Sequence, residues 1–340
     1  MTLCDRLLGN YHDLLSHTLA HADTAVALLS QNLPSGARAS LLTTGVLHVQ
    51  PPLPAERQLI LSAGLHGDET APIEVLNELA SAILAGEIAV DVDLLLILGN
   101  PPAMVQGTRY VRHNLNRLFC GKHAQLEDDP GPEGPRAAEL EQWVQRFVEP
   151  GTPLWHYDLH TAISASTREK FALYPFVAGR ELPERQRALM QACEVDTLLL
   201  QHKPASTFSA FTAQRFGAES FTVELGRVAP FGHNDLSRLQ ALRHQLPLWL
   251  SATWHPPAQP QAPGPELFEV VHEILHTGEG FVLHVADDVA NFTPFPPGTL
   301  IWEDPQTHYR VGDVPEAIVF PNRDVPKGQR AGLMVRPKNP

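Results

Sequence analysis

Between residues 58 and 250, short apolar runs alternate with stretches of helical spacing, and several of the apolar runs end on polar, chemically capable residues. Residues 58–65, 90–98, 154–159, 197–201 and 221–225 read as strands, most of them buried. Residues 71–84, 135–148, 183–192 and 234–250 read as helices, with Pro183 at a helix start, where its missing N–H is no loss. Strands alternating with helices predict an α/β fold around a parallel or mixed central sheet flanked by helices. Ahead of this region, residues 1–32 read as one or two short helices, with Leu14, Leu15, Leu19 and Ala22 at helical spacing, and residues 38–50 read as strands.

The segment 255–266 holds five prolines, which fits a linker or abrupt turn and not the interior of an element. Beyond it the runs 268–275, 280–285, 300–302 and 317–320 are short, β-rich and punctuated by Gly and Pro. The expected division is a catalytic domain over 1–254, with 1–50 packing on it, a linker over 255–266 and a smaller β-rich C-terminal domain over 267–340. A chain of 340 residues can bury a core large enough for both.

The formal charge of −13 argues against non-specific nucleic-acid binding and against a role on anionic membranes. Three cysteines, Cys4, Cys120 and Cys193, show no CxxC spacing and make no disulfide framework. No signal-peptide pattern is visible, and the most apolar run, 94–98, is too short to cross a bilayer. A cytoplasmic protein acting on a small molecule is expected, with its oligomeric state open.

Four constellations carry chemistry. His66-Gly67-Asp68-Glu69-Thr70 sits where a strand gives way to a helix, the usual ligand position in open α/β sheets. A His and a Glu three residues apart on such a turn can face one metal ion, with Gly67 letting the backbone bend between them. Tyr157-Asp158-Leu159-His160-Thr161 also ends a strand, and His160 would complete a set of three ligands, with Asp158 in support. Glu224, in Phe221-Thr222-Val223-Glu224-Leu225-Gly226, is a carboxylate at the end of an apolar strand, costly to bury unless something uses it. Such a group can act as a general base toward water activated by a metal. Arg109, Arg112 and Arg117 fall within nine residues of an otherwise acidic chain, a local positive charge suited to carboxylates. Each has a plainer alternative: a strand-end histidine bonded to its neighbours, an edge carboxylate turned to solvent, surface arginines paired with acids.

Taken in order, these runs resemble the succinylglutamate desuccinylase family, which stands with aspartoacylase in the zinc carboxypeptidase superfamily. Gly99-Asn100-Pro101-Pro102-Ala103, Arg109-Tyr110, Leu115-Asn116-Arg117-Leu118-Phe119 and Asp158-Leu159-His160-Thr161-Ala162-Ile163 carry the likeness, and Asn291-Phe292-Thr293-Pro294-Phe295 extends it to the C-terminal region. The resemblance implies a zinc-carboxypeptidase-like mixed sheet with a β-rich C-terminal domain. It implies one Zn²⁺ per chain on His66, Glu69 and His160, with Glu224 as the base that later protonates the leaving amine. Arg109 would polarise the scissile carbonyl, and Asn116 and Arg117 would hold a substrate carboxylate. The implied reaction is hydrolysis of N-succinyl-L-glutamate to succinate and L-glutamate, the last step of arginine breakdown by the succinyltransferase route. An aspartoacylase-like deacylase of another N-acyl amino acid is the alternative, ahead of a zinc carboxypeptidase or a non-catalytic zinc-binding protein.

Two positions depart from the family pattern. Asn114 stands where an acid usually precedes Leu-Asn-Arg, and Ser164 stands where an arginine usually follows His-Thr-Ala-Ile. Arg168, four residues further on, is the candidate to replace that arginine as a substrate ligand. The chain also contains His272-Glu273-Ile274-Leu275-His276, which matches HExxH. Its β-branched surroundings predict a strand, on which residues i and i+4 lie about 13 Å apart, too far to share one metal.

Overall fold

A computed structural model describes residues 7–338. Among the described residues, thirteen strands form one mixed sheet. At its centre Asp93–Leu98, Gln58–Ala63, Leu154–Ala162 and Glu219–Arg227 run parallel, side by side. Three antiparallel strands, Val46–Gln50, Arg38–Thr43 and Leu29–Asn32, extend one flank. On the other flank Lys170–Tyr174 lies antiparallel to Glu219–Arg227, followed by Thr197–Leu200.

Alternation along the central strands sorts side chains between two cores. Leu59, Leu61, Leu94, Leu96, Tyr157, Phe221 and Val223 meet the helices Thr70–Ala85 and Gln240–Trp249 on one face. Ile60, Leu95 and Ile97 meet Glu133–Phe147 and Phe208–Phe216 on the other. Each such fully buried side chain contributes about 1.5–3 kcal/mol, and burial on both faces is what makes these strands near-continuous apolar runs. Leu154–Ala162 is buried at every position although it includes His156, Asp158 and His160. These three share a parity opposite to Trp155, Tyr157 and Leu159, so the polar groups all emerge on the second face.

Part of the N-terminal expectation is corrected. Leu14–Ala20 is a helix, capped by Asp13 Oδ1 accepting from Ser16 N at 2.7 Å. Leu29–Asn32 is instead a strand, because Pro34, Ser35 and Gly36 (φ 85°) turn the chain back and Leu33 N reaches Ala37 O at 2.8 Å. Residues 1–6 of that expectation lie outside the described residues. Periodicity does not show the helices Pro101–Gln106 and Phe208–Phe216, the strand Lys170–Tyr174, or the C-terminal strands Thr293–Phe295, His308–Arg310 and Arg330–Pro337.

The C-terminal β-rich segment is not an isolated appendage. Glu266–Leu275 pairs parallel with Thr197–Leu200 and carries the sheet on through Arg330–Pro337, Glu316–Val319 and Thr293–Phe295. A second, three-stranded sheet packs with it. Val282–Leu283 pairs with Leu300–Glu303 in that second sheet. The HExxH residues lie on a strand as expected: His272 stacks on Tyr309 with centroids 3.8 Å apart and accepts from Trp302 Nε1 at 3.0 Å.

Candidate metal centre

Strand Gln58–Ala63 ends just before His66, and helix Thr70–Ala85 begins just after Glu69. Glu69 occupies the cap position of that helix but does not cap it, because its carboxylate turns inward to two imidazoles. Glu69 Oε1 lies 2.8 Å from His66 Nδ1, and Oε2 lies 2.7 Å from His160 Nδ1. All three residues are buried, and one donor atom from each lies within 4.8 Å of the others. Among the described residues no other group of His, Cys, Asp and Glu is arranged to hold a metal.

Gly67 serves this turn differently from the sequence expectation. A Cβ there would lie 2.1 Å from the Ala103 carbonyl carbon and 2.3 Å from Met104 N. Close approach of helix Pro101–Gln106, and not a special backbone bend, is what requires glycine.

The outward ring nitrogens show what the cluster is built to hold. His66 Nε2 lies 3.0 Å from Asn114 Oδ1, which also accepts from Asn116 N at 3.0 Å. His160 Nε2 lies 2.8 Å from Asp158 Oδ2. Both partners are acceptors, so the hydrogen-bond network assigns the hydrogens to Nε2. The Nδ1 lone pairs of neutral rings then point at carboxylate oxygens, acceptor against acceptor, which only a proton or a cation between them relieves. Two imidazoles and a carboxylate, with an acceptor behind each imidazole, fit a transition-type metal ion with an open coordination position.

A buried polar column supports His160. Ser62 Oγ donates to Asp158 Oδ1 at 2.6 Å and lies 2.9 Å from His156 Nε2, while His156 Nδ1 faces Thr212 Oγ1 at 2.8 Å. Sequence reasoning missed Ser62 and His156, whose partners sit on neighbouring elements. It also missed Glu133, which accepts from Val111 N at 2.7 Å and from Arg112 N and His113 N at 3.2 Å each. That buried carboxylate fixes the loop carrying Arg109 and Asn114.

Arg109 Nη1 lies 2.7 Å from Glu69 Oε1, which puts a guanidinium on the edge of the cluster. Asn116 is buried; its Oδ1 accepts from Phe208 N at 2.9 Å and its Nδ2 points toward His160 Nε2 at 3.4 Å. Arg117 donates to Asn116 O at 2.9 Å. Arg168 is placed elsewhere. Its Nη2 pairs with Glu266 Oε2 at 2.6 Å, its guanidinium lies over Phe268, and it lines a separate cavity of about 910 Å³.

Glu224 is the register partner of His160 on the adjacent parallel strand. It is 7% exposed, and its Oε2 is buried without a hydrogen-bond partner. Burial pushes its carboxyl up to about 7, against the pull of His160. Burial likewise pushes His66 down to about 4, which favours the neutral, ligating form. Burial works against charge on His160 too, yet Asp158 and Glu69 hold it well above the usual histidine range.

Residues 55–247 match the succinylglutamate desuccinylase/aspartoacylase catalytic domain, and residues 263–338 match the AstE/AspA barrel-sandwich hybrid domain. The succinylglutamate desuccinylase of Pseudomonas paraeruginosa is 42% identical over 328 residues, spanning 95% of this chain and 97% of that protein. The crystal structure of the Vibrio parahaemolyticus succinylglutamate desuccinylase superposes with a TM-score of 0.87 at 34% identity, covering 97% of this chain and 96% of the other. That from Chromobacterium violaceum gives 0.84 at 37% identity, covering 97% and 98%. The fold and both matches place the chain in a class of hydrolases whose catalytic domain is followed by a barrel-sandwich hybrid. More specifically, it belongs to the succinylglutamate desuccinylase/aspartoacylase family.

Proposed function

We propose that this chain hydrolyses the amide bond of N-succinyl-L-glutamate, releasing succinate and L-glutamate, with one Zn²⁺ held by His66, Glu69 and His160. The observation that carries the reading is Glu224: a buried carboxylate oxygen with no partner, set beside His160. An unused acceptor in an apolar strand is costly unless the reaction supplies its partner. A bound ion supplies a Lewis acid that acidifies water and polarises the scissile carbonyl. Glu224 takes a proton from the attacking water and passes it to the leaving amine of glutamate. Arg109 moves from Glu69 toward the carbonyl oxygen and stabilises the charge that develops there. Asn116 Nδ2 and the Arg117 guanidinium hold a substrate carboxylate, while Asn116 Oδ1 stays on Phe208 N. Arg168 takes no part in this scheme, its guanidinium being committed to Glu266.

The high identity to desuccinylases over nearly the whole chain supports the succinyl group over acetyl. No helix among the described residues is long and apolar enough to cross a membrane, and Cys120 and Cys193 are free thiols, in keeping with a reducing cytoplasm. Release of free amine from N-succinylglutamate, N-acetylaspartate and a C-terminal dipeptide tests the assignment. Preference for N-succinylglutamate is expected; preference for N-acetylaspartate would move the chain to the aspartoacylase side.

A further inference from the structure

N-succinylglutamate carries three carboxylates, more than Asn116 and Arg117 can hold. The C-terminal β-rich segment delivers another cation. Arg330 begins strand Arg330–Pro337, opposite Leu275, and its guanidinium carbon lies 5.9 Å from the centroid of the Phe320 ring. Phe320 in turn lies 5.8 Å from Phe171, the antiparallel register partner of Glu224. That packing brings the start of the strand to the metal-cluster side of the sheet. Residues 203–206 join this strand to Arg117: Ser206 Oγ donates to Arg117 O at 3.1 Å, and Lys203 pairs with Glu273, two residues before Leu275, the register partner of Arg330.

Arg330 has an aromatic neighbour but, among the described residues, no ion pair. The acid that bears on it, Glu273, is committed to Lys203. Arg117 likewise spends its guanidinium on a backbone carbonyl, Asn116 O. Two guanidinium groups brought into one neighbourhood repel, and each forgoes an ion pair while no anion lies between them. An anion between them removes both costs, and a planar carboxylate matches the guanidinium fork.

Resting on the substrate reading above, we propose that Arg330 is a substrate-binding residue, supplied by the C-terminal segment, that grips one carboxylate of the N-acyl amino acid together with Arg117. The catalytic sheet thus performs the bond cleavage, and the C-terminal strand helps select a multiply charged substrate.

The test uses the zinc-loaded full chain and the variants Arg330→Met and Arg330→Lys, with zinc content and unfolding midpoint measured on each. Arg330→Met is expected to raise KM for N-succinylglutamate roughly ten- to hundredfold, with a much smaller change in kcat. Arg330→Lys should recover part of the loss. Substrates lacking one carboxylate, namely N-butyrylglutamate, N-succinyl-4-aminobutyrate and N-succinyl-2-aminobutyrate, identify the partner: for one of them the Met variant should bind no worse than wild type. An unchanged KM for N-succinylglutamate in Arg330→Met, or an equal rise for all four substrates, overturns the inference. Wild-type protein that leaves N-succinylglutamate intact overturns instead the substrate reading beneath it.

Discussion

His160 and Glu224 are register partners on adjacent parallel strands and emerge on the same face of the sheet, one carrying an imidazole nitrogen 2.7 Å from Glu69 and the other an unpartnered carboxylate oxygen. The pairing fixes the proposed base and the proposed ligand His160 to one another through backbone hydrogen bonds. Glu224→Gln keeps the shape and removes the base. It should lower kcat by roughly 10²- to 10⁴-fold while leaving zinc content and KM little changed. Metal analysis beside steady-state kinetics checks this, and undiminished kcat would remove Glu224 from the mechanism.

The same carboxylate predicts how the metal-free protein responds to pH. Burial raises the folded-state value from 4.5 to about 7, so the folded chain binds the proton more tightly than the unfolded chain. This contribution to stability is full below about 4.5 and is lost as pH rises through about 7, by up to roughly 1.4 kcal/mol per pH unit. Urea melts of chelated protein across that range should show the loss in wild type and a flatter profile in Glu224→Gln. Parallel profiles would contradict it.

Asn114 holds His66 from behind as Asp158 holds His160, but with a neutral amide in place of a carboxylate. Removing that acceptor frees the His66 ring. Asn114→Ala should weaken zinc binding by roughly 10- to 100-fold, and Asn114→Asp, which restores the acid expected from the family pattern, should not. Competition against a chromophoric chelator measures both. Equal affinity in wild type and Asn114→Ala would show that the 3.0 Å contact positions nothing.

At Gly67 the constraint is steric. The methyl group of Gly67→Ala meets backbone of Ala103 and Met104, which cannot rotate aside. A loss of at least about 1–3 kcal/mol in unfolding free energy is expected, together with impaired metal binding as the His66–Glu69 turn is displaced. A wild-type midpoint with full metal affinity would refute the close-approach explanation.

What the sequence made legible was local. His66 with Glu69, and Asp158 with His160, lie three and two positions apart, and the strand-to-helix turn around the first pair and the apolar strand that carries the second follow from periodicity alone. The rest depends on which strands become neighbours. Asn114 reaches His66 across 48 residues, and Ser62 reaches Asp158 across 96, by pairings that no local pattern encodes. Parallel pairing of Glu266–Leu275 with Thr197–Leu200 spans the proline-rich segment, so composition showed a break where hydrogen bonding made one sheet. Arg168 follows Ser164 by four residues and was the candidate to replace the family's arginine, but it lies in the bend before Lys170–Tyr174 and pairs with Glu266.

The central claim is that an ion on His66, Glu69 and His160 drives cleavage of N-succinylglutamate with Glu224 as base. Metal analysis of purified protein, followed by a free-amine assay on N-succinylglutamate before chelation, after it and after zinc is returned, tests this most directly. The account predicts one zinc per chain, activity lost on stripping and restored on reloading. Full activity in the metal-free protein would contradict it.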